Sequence, residues 1–414
     1  MKRLHFYLVP IVIAVAVLVS SGVKNPRLLE VLADAGSSHA AYRLGQHHND
    51  EQDGKTYNPD IALAWFERAA EAGSLDAMHE IGLLHLSGAV DKPSFETGHR
   101  FVLTAAEAGH PNAMYTLAFL FEIGMVATRN SSEAERWYLK SLEQGVEEAQ
   151  IGLYRLHLEN QETFGPFKSA KAFKELRKLA DKNDAYALLT IGNAHIEGYG
   201  VPKNPAKGLA LIERAAETMP FAAHFVIAEF HFLGRGEKVE YHKALRHLIM
   251  ASKHGSPSAD LNIGVMYEHG LGVEKDYVKA ARYYRKALEQ KNLGALTALG
   301  ILHRNGTGVT QDYDEANRLF HEAADIGLTG GSANVGWMQL HGWGMPVDRE
   351  KGLVLIETAA DEKDYFGTFY MALLLEEGEF VDQGRERALE LYRVSADRGN
   401  PLARVALRRL GKQI

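Results

Sequence analysis

The apolar and small residues of this chain return with a period of 36 residues. An alanine or a glycine opens each period, and the steps between neighbouring openings are 37, 36, 36 and 38, and then 36 six times. The openings are Ala40, Ala77, Ala113, Ala149, Ala187, Ala223, Ala259, Ala295, Gly331, Gly367 and Ala403. A period this regular predicts a repeat solenoid, in which short supersecondary units stack on one another.

Within each unit the spacing predicts two helices. Counted from the opening residue, positions 1, 5 and 8 are apolar in nearly every unit and form one stripe on a first helix. Position 6 is Gly or Ala in nine of ten units, which indicates that another helix comes close there. Position 12 is Gly in eight of ten units and suits the left-handed residue that ends a helix. Asp276, Asp312 and Asp348 then stand where the second helix needs a capping side chain.

The second helix contains a small residue near position 22 and bulky pairs such as Trp137-Tyr138 and Tyr283-Tyr284. The order Ala-x-x-x-Leu-Gly-x-Leu-Tyr, Gly-x-Gly-Val-x-Lys-Asp and Ala-x-x-Tyr-Tyr-x-Lys-Ala resembles the Sel1-like repeat family, relatives of the tetratricopeptide repeats. The resemblance covers nearly everything after Pro26. It implies an all-α, right-handed α-solenoid of about ten helix-turn-helix repeats of 36 residues.

Two units depart from the pattern. Glu51 and Asn160 stand where the capping glycine belongs in the units that begin at Ala40 and Ala149. The second of these units also has an insertion around Phe164-Gly165-Pro166, which leaves the geometry of its turn open.

The predicted organisation has four parts. Residues 1–23 form a signal peptide or a signal anchor, and residues 24–39 form an opening half-repeat. Ten repeats then occupy residues 40–402, and residues 403–414 form a C-terminal capping helix with a polar outer face.

The first 23 residues are the part of the sequence that indicates a cellular location. Lys2 and Arg3 precede an apolar run from Phe6 to Val19, which is typical of a cleaved secretory signal or an uncleaved anchor. A buried core helix is a third interpretation. Both leading interpretations place the repeats on the non-cytoplasmic side of the membrane, because Lys2 and Arg3 stay inside. In a bacterium that side is the periplasm, so the predicted location is the cell envelope.

Composition restricts the classes of partner and the means of stabilisation. The formal net charge is −7 and there is no basic run, which argues against nucleic acid as the main partner. Cysteine is absent, so an exported form relies on helix packing without disulfides.

Histidine recurs at position 9, where the related family normally has tyrosine. Equivalent positions of stacked units lie about 8–10 Å apart, whereas two imidazoles on one zinc each need a nitrogen at about 2.0–2.1 Å. Packing between helices is therefore favoured over a metal or proton-relay ladder. A milder alternative is that protonation near about pH 6 loosens the solenoid. The histidines are His48, His85, His157, His195, His231 and His303.

The sequence contains no catalytic constellation. His79-Glu80 and His321-Glu322 resemble the start of a zinc-protease helix, but the second histidine is missing in both. The Gly-x-Gly pairs are turn glycines without a preceding strand. We therefore expect no enzyme activity, no cofactor and no metal.

The candidate binding surface is a second stripe on the first helices, at positions 4, 7 and 11. In helix-pair solenoids the first helices line the concave side, where peptides commonly dock. Trp337 is the best candidate for an anchor, because tryptophan dominates binding hot spots. Alternatively, Trp337 and Trp343 cover the joint to the next unit. The predicted partner-binding residues are Arg43, Glu80, Phe119, Asn193, Asn262, Asn334, Trp337 and Tyr370.

These features predict a non-catalytic scaffold or adaptor, exported or tethered to a membrane, that binds one or more proteins in its concave groove. The expected partners are envelope or membrane-associated proteins, with membrane contact through residues 1–23 if that segment is not cleaved. Two alternatives remain open. One is a binder of cell-wall or exported polysaccharide, which would use exposed aromatic platforms. The other is an enzyme acting on the cell wall, which would need two facing carboxylates.

Overall fold

All regular structure that the computed structural model describes is helical. The described residues are 25–50, 57–125, 128–236, 238–378, 380–398 and 400–411. The predicted signal or anchor, residues 1–23, and Glu51 lie outside them. Within these ranges no helix has both the length and the apolar character that crossing a bilayer requires.

The chain forms two compact units, the first ending at Leu211 and the second beginning at Ile212. The helices of the first unit are α1 (Pro26–Asp34), α2 (Ser38–His48), α3 (Pro59–Glu71), α4 (Leu75–Ser87), α5 (Phe95–Glu107), α6 (Pro111–Ile123), α7 (Ser131–Glu143), α8 (Glu148–Glu159), α9 (Gln161–Ala180) and α10 (Ala185–Glu197). The boundary falls within α11 (Pro205–Ala215). The helices of the second unit are α12 (Pro220–Phe232), α13 (Tyr241–Lys253), α14 (Pro257–His269), α15 (Tyr277–Glu289), α16 (Ala295–Asn305), α17 (Tyr313–Asp325), α18 (Thr329–His341), α19 (Arg349–Asp361), α20 (Tyr365–Glu377), α21 (Arg385–Asp397) and α22 (Pro401–Arg409). From α2 onward the even-numbered helices are the first helices of the repeats.

The predicted helix ends are confirmed. All eight glycines at position 12 have φ between 66° and 85°, which is the left-handed conformation that terminates a helix. At the start of the second helices, the carboxylates of Asp276, Asp312 and Asp348 each accept a hydrogen bond from the backbone N–H three residues later. Asn25 caps α1 by accepting a hydrogen bond from the backbone N–H of Arg27, two residues later, with Pro26 as the first helical residue. Local sequence therefore sets the ends of these helices.

The small residue at position 6 lets the two helices of a repeat touch. A Cβ atom added to Gly264 would lie 2.4 Å from the ring of Tyr284, and one added to Gly300 would lie 2.6 Å from the ring of Phe320. Both aromatic rings come from position 26 and are completely buried. The predicted close approach is confirmed, and it fixes the aromatic residue of position 26 against the first helix.

The divergent unit at Ala149 has no separate turn between its helices. The first helix, α8, ends at Glu159, and α9 begins at Gln161, with Asn160 alone between them. The break comes later, at Gly165, whose φ of 80° and ψ of 161° are not helical, and Pro166 follows it. The insertion thus moves the bend of this unit from position 12 into the start of the second helix.

Candidate functional site

A groove with a volume of about 560 Å³ lies in the second unit. The first helices α14, α16, α18 and α20 supply most of its wall. The wall is rich in aromatic rings and has a few charged side chains among them. Its residues include Glu268, Lys275, Tyr284, Ile301, Arg304, Trp337, Tyr365, Phe366, Phe369, Tyr370, Leu373 and Arg398.

One side of the groove is held by a polar network that joins three repeats. Arg304 Nη1 donates to Asn334 Oδ1 at 3.1 Å and to the Tyr370 hydroxyl at 2.9 Å. The Tyr370 hydroxyl donates to Asn334 Oδ1 at 2.7 Å, and Asn334 Nδ2 donates to the carbonyl of Gly330 at 2.7 Å. Asn334 is completely buried, so each of its bonds stabilises the native arrangement. The network locks α16, α18 and α20 together along the groove.

The aromatic side chains of α18 and α20 pack against each other. Trp337 and Tyr370 stack with ring centroids 4.5 Å apart, and Trp337 also contacts His341 at 4.5 Å. Trp343 lies against His341 and stacks on Tyr313 of the preceding repeat. The two tryptophans therefore cover joints between repeats, as one interpretation of the sequence held, and Trp337 lines the groove as well.

A tyrosine–glutamate pair occurs three times among the residues that the structure describes. The hydroxyl of the position-26 tyrosine donates to the position-10 glutamate of the same repeat. The distances are 2.6 Å for Tyr138 and Glu122, 2.5 Å for Tyr284 and Glu268, and 2.7 Å for Tyr392 and Glu376. Burial raises the pKa of Tyr284, and the carboxylate of Glu268 raises it further, so the hydroxyl stays protonated and donates. Of the three pairs, the one with Glu268 faces the groove.

The family model for the Sel1 repeat matches nine segments, which together cover most of the chain. This protein belongs to the Sel1 repeat family. The matched residues are 38–74, 75–110, 111–146, 185–217, 222–256, 257–292, 294–328, 331–364 and 367–400. No matched segment covers residues 147–184, which contain the kinked α9.

Solved structures similar to this Sel1 repeat protein include a protective antigen of uropathogenic Escherichia coli described as displaying an SLR fold. It is 22% identical, with 94% of this chain and 84% of that chain covered and a TM-score of 0.47. A Sel1 repeat protein from Oxalobacter formigenes is also 22% identical, with coverage of 96% and 93% and a TM-score of 0.42. No curated protein matches the chain.

The structure brings together three of the eight predicted binding residues, namely Asn334, Trp337 and Tyr370. Asn334 and Tyr370 do not lie on an exposed stripe, because their side chains are 0% and 4% exposed. The first helices approach so closely here that Arg304 reaches Tyr370 across two repeats. Asn334 and Tyr370 thus shape the groove from beneath, and Trp337 is the half-buried member of the three.

The other predicted residues lie elsewhere. Phe119 is exposed and borders a separate cleft of the first unit, beside Arg155. Asn262 lines a smaller cavity of about 230 Å³ in the second unit. Arg43, Glu80 and Asn193 are half-buried on first helices of the first unit, and none of them borders the groove described above.

Four of the six histidines of position 9 are buried, namely His85, His157, His195 and His231. His157 Nε2 lies 2.7 Å from a carboxylate oxygen of Glu135, and His231 Nδ1 lies 2.9 Å from one of Glu240. Burial lowers the pKa of both histidines, although their glutamate partners act in the opposite direction. These contacts support the packing interpretation. Nowhere in the described chain do three or more histidine or acidic side chains stand together as metal ligands would.

Sequence reasoning missed Glu268, Arg304 and Tyr365. A comparison of repeats at positions 10 and 26 contains the missing signal. Glutamate occurs at position 10 in the three units that have tyrosine at position 26, whereas the unit of Arg304 has Phe320 there. A tyrosine at position 26 therefore predicts a glutamate at position 10 of the same repeat.

Proposed function

We propose that this Sel1 repeat protein is a non-catalytic scaffold that holds an extended segment of another protein in the groove of its second unit. Proteins built from Sel1 and related repeats generally mediate protein–protein interactions. The observation that carries the proposal is the aromatic groove along α14, α16, α18 and α20. Buried aromatic anchors flanked by a few polar groups are typical of interfaces that bind peptides.

Two observations favour a protein ligand over a sugar. Trp337 and Tyr370 stack on each other, so each covers a ring face that a sugar would need. Glu268 is the one carboxylate among the described residues that line the groove, whereas glycoside hydrolysis ordinarily uses a pair.

We further propose that the repeats work on the non-cytoplasmic side of a membrane, with residues 1–23 as the signal or the anchor. The partner would then be an envelope or membrane-associated protein. Protease added to intact spheroplasts should degrade the repeats but not a cytoplasmic marker. Protection of the repeats until the cells are lysed would overturn this part of the proposal.

The groove is tested by site-specific cross-linking in cells. A photoreactive amino acid replaces Leu373, which lines the groove, or Val278, which is 66% exposed on the second helix α15. We expect discrete adducts from position 373, their loss when Trp337→Ala is added, and none of them from position 278. Identical adducts at both positions, or no adduct at position 373, would show that the groove does not hold a protein.

A further inference from the structure

The three tyrosine–glutamate pairs differ in what neutralises the glutamate. Arg155 binds Glu122 through Nε at 2.9 Å and through Nη2 at 2.7 Å. Arg409 binds both carboxylate oxygens of Glu376 through Nη2, at 2.7 and 2.6 Å. Both arginines stand at position 7 of the repeat that follows the glutamate. In these two places the next repeat supplies the counter-charge in cis.

At Glu268 the equivalent position of the next repeat supplies no counter-charge. Position 7 of the following repeat is Ile301, which lines the same groove. In the described part of the chain, Tyr284 is the hydrogen-bond partner of Glu268, and no lysine, arginine or histidine nitrogen lies within 4 Å of its carboxylate. The carboxylate is half-buried, and a partly desolvated charge without a counter-ion is unfavourable.

The surroundings of Glu268 suit a guanidinium group. Tyr284, Tyr365 and Phe366 also line the groove, and arginine stacks on aromatic rings while it binds a carboxylate. Burial raises the pKa of Tyr365, and the charges of Asp364, Tyr370 and Glu268 contribute in the same direction.

We propose that Glu268 binds an arginine side chain of the partner segment, in the place that Arg155 and Arg409 occupy at the other two pairs. This inference rests on the proposed function and adds the chemistry of the ligand. Arg304, Lys275 and Arg398 also line the groove. Because these cations repel a run of basic residues, the segment that fits contains a single arginine beside apolar and acidic residues.

The test is a selection of random 12-residue peptides displayed on phage, with the full-length chain purified in detergent as bait. Peptides enriched on the wild type are then synthesised, and their affinities are measured for wild type, Glu268→Gln, Ile301→Arg and Ile301→Leu. We expect one arginine at a fixed place in the enriched peptides. Glu268→Gln and Ile301→Arg should each weaken binding by about tenfold or more, because a charge-assisted bond is lost. Ile301→Leu should leave affinity within about twofold, since its apolar volume is nearly unchanged.

Folding of the variants is measured separately. Ile301→Arg should keep or raise the melting temperature, since it recreates the arrangement of Arg155 with Glu122, and adding Glu268→Gln should abolish any gain. Peptides that bind in the groove without an arginine, or that bind Ile301→Arg as well as wild type, would overturn the arginine proposal and leave the scaffold intact. Failure to enrich any peptide, together with no adduct at position 373, would overturn both.

Discussion

The cleft of the first unit and the groove of the second each contain the glutamate of a tyrosine–glutamate pair, Glu122 in the cleft and Glu268 in the groove. The two sites differ in whether an arginine neutralises that glutamate. Around Glu122, Tyr138 and Arg155 satisfy both carboxylate oxygens, and the carboxylate is 4% exposed. Around Glu268, the tyrosine is the one partner among the residues that the structure describes, because the arginine position holds Ile301. The carboxylate is therefore bound by an arginine of the next repeat in the first unit, whereas the equivalent position in the second unit holds no arginine.

This difference separates a structural role from a binding role. A carboxylate with its counter-ion in cis contributes to the joint between two repeats and has no capacity left for a ligand. A carboxylate without one can bind a cation from outside. The aromatic wall of Tyr284 and Tyr365 occurs at the open pair. The interior of a solenoid repeat can thus be converted into a ligand site by one substitution at position 7.

Replacing each of the two glutamates with alanine should change the free energy of unfolding more than the other substitutions, and by different amounts at the two sites. Glu122→Ala leaves Arg155 half-buried without its acid, and breaking a buried pair costs about 3–5 kcal/mol. Because the side chain of Arg155 is 30% exposed, we expect a loss of about 3 kcal/mol. Glu268→Ala should cost about 1 kcal/mol, since a single hydrogen bond is lost. Urea unfolding of each variant measures both values.

Glu376→Ala is the intermediate control, because Arg409 is 58% exposed and can be hydrated when its partner is removed. Equal losses at Glu122 and Glu268 would mean that the missing arginine has no energetic consequence. The comparison between the two regions would then fail.

Replacing the glycines that pack against the two tyrosines should have the next largest effect on the free energy of unfolding. A Cβ atom on Gly264 would lie 2.4 Å from the ring of Tyr284, and one on Gly152 would lie 2.6 Å from that of Tyr138. Overpacking of a buried ring costs about 1–3 kcal/mol, so each glycine-to-alanine change should destabilise the protein by about 2 kcal/mol. Gly264→Ala should also weaken peptide binding, because Tyr284 and Glu268 are displaced.

Gly152→Ala is the matched variant, with a similar loss of stability and no loss of peptide affinity. The two variants are compared by urea unfolding and by titration with the selected peptides. If both weaken binding equally, the effect is general destabilisation and the groove is not a separate site.

The pH dependence of stability should be smaller and should appear in both units. Burial lowers the pKa of His79 to about 4 and that of His247 to about 4. Below pH 6.5 the unfolded chain binds a proton at each histidine while the folded chain does not. Stability therefore falls as the pH drops from about 6.5 toward 4. Between pH 7.5 and 5.5 the buried His79 should account for roughly 1 kcal/mol, and His247 should account for less because it is partly exposed and solvent screens its charge.

The groups around His79 are His110, Asp76 and Thr116, whose hydroxyl lies 2.9 Å from Nε2. His110 acts with burial to lower the pKa of His79, whereas Asp76 opposes them. His79→Asn should reduce the difference in the free energy of unfolding between pH 7.5 and 5.5 by the contribution of this one histidine. Urea unfolding at the two pH values measures that difference. An unchanged slope would show that His79 titrates as an exposed histidine does.

The sequence predicted the helix pairs well, because their determinants are local. The glycines at position 12 and Asp276 act within one turn of the helix that they end or begin. The groove could not be predicted in the same way, since Arg304 and Tyr370 are 66 residues apart and meet only through the approach of α16 and α20. Asn334 illustrates the error that follows, because its position in the helical stripe predicted exposure and the neighbouring repeat buries it completely.

The smallest predicted change in stability comes from tyrosine-to-phenylalanine variants. These variants test directly whether the Glu268 carboxylate is open to solvent. Tyr138→Phe removes a hydrogen bond to a carboxylate that is 4% exposed, and we expect a loss of about 1 kcal/mol. Tyr284→Phe removes the equivalent bond to Glu268, but water in the groove can replace the hydroxyl, so the loss should be below about 0.5 kcal/mol. Urea unfolding of the two variants beside wild type resolves this difference when several probes agree. A loss at Tyr284 as large as that at Tyr138 would mean that Glu268 is closed to water, and a carboxylate closed to water would also be closed to an arginine from outside.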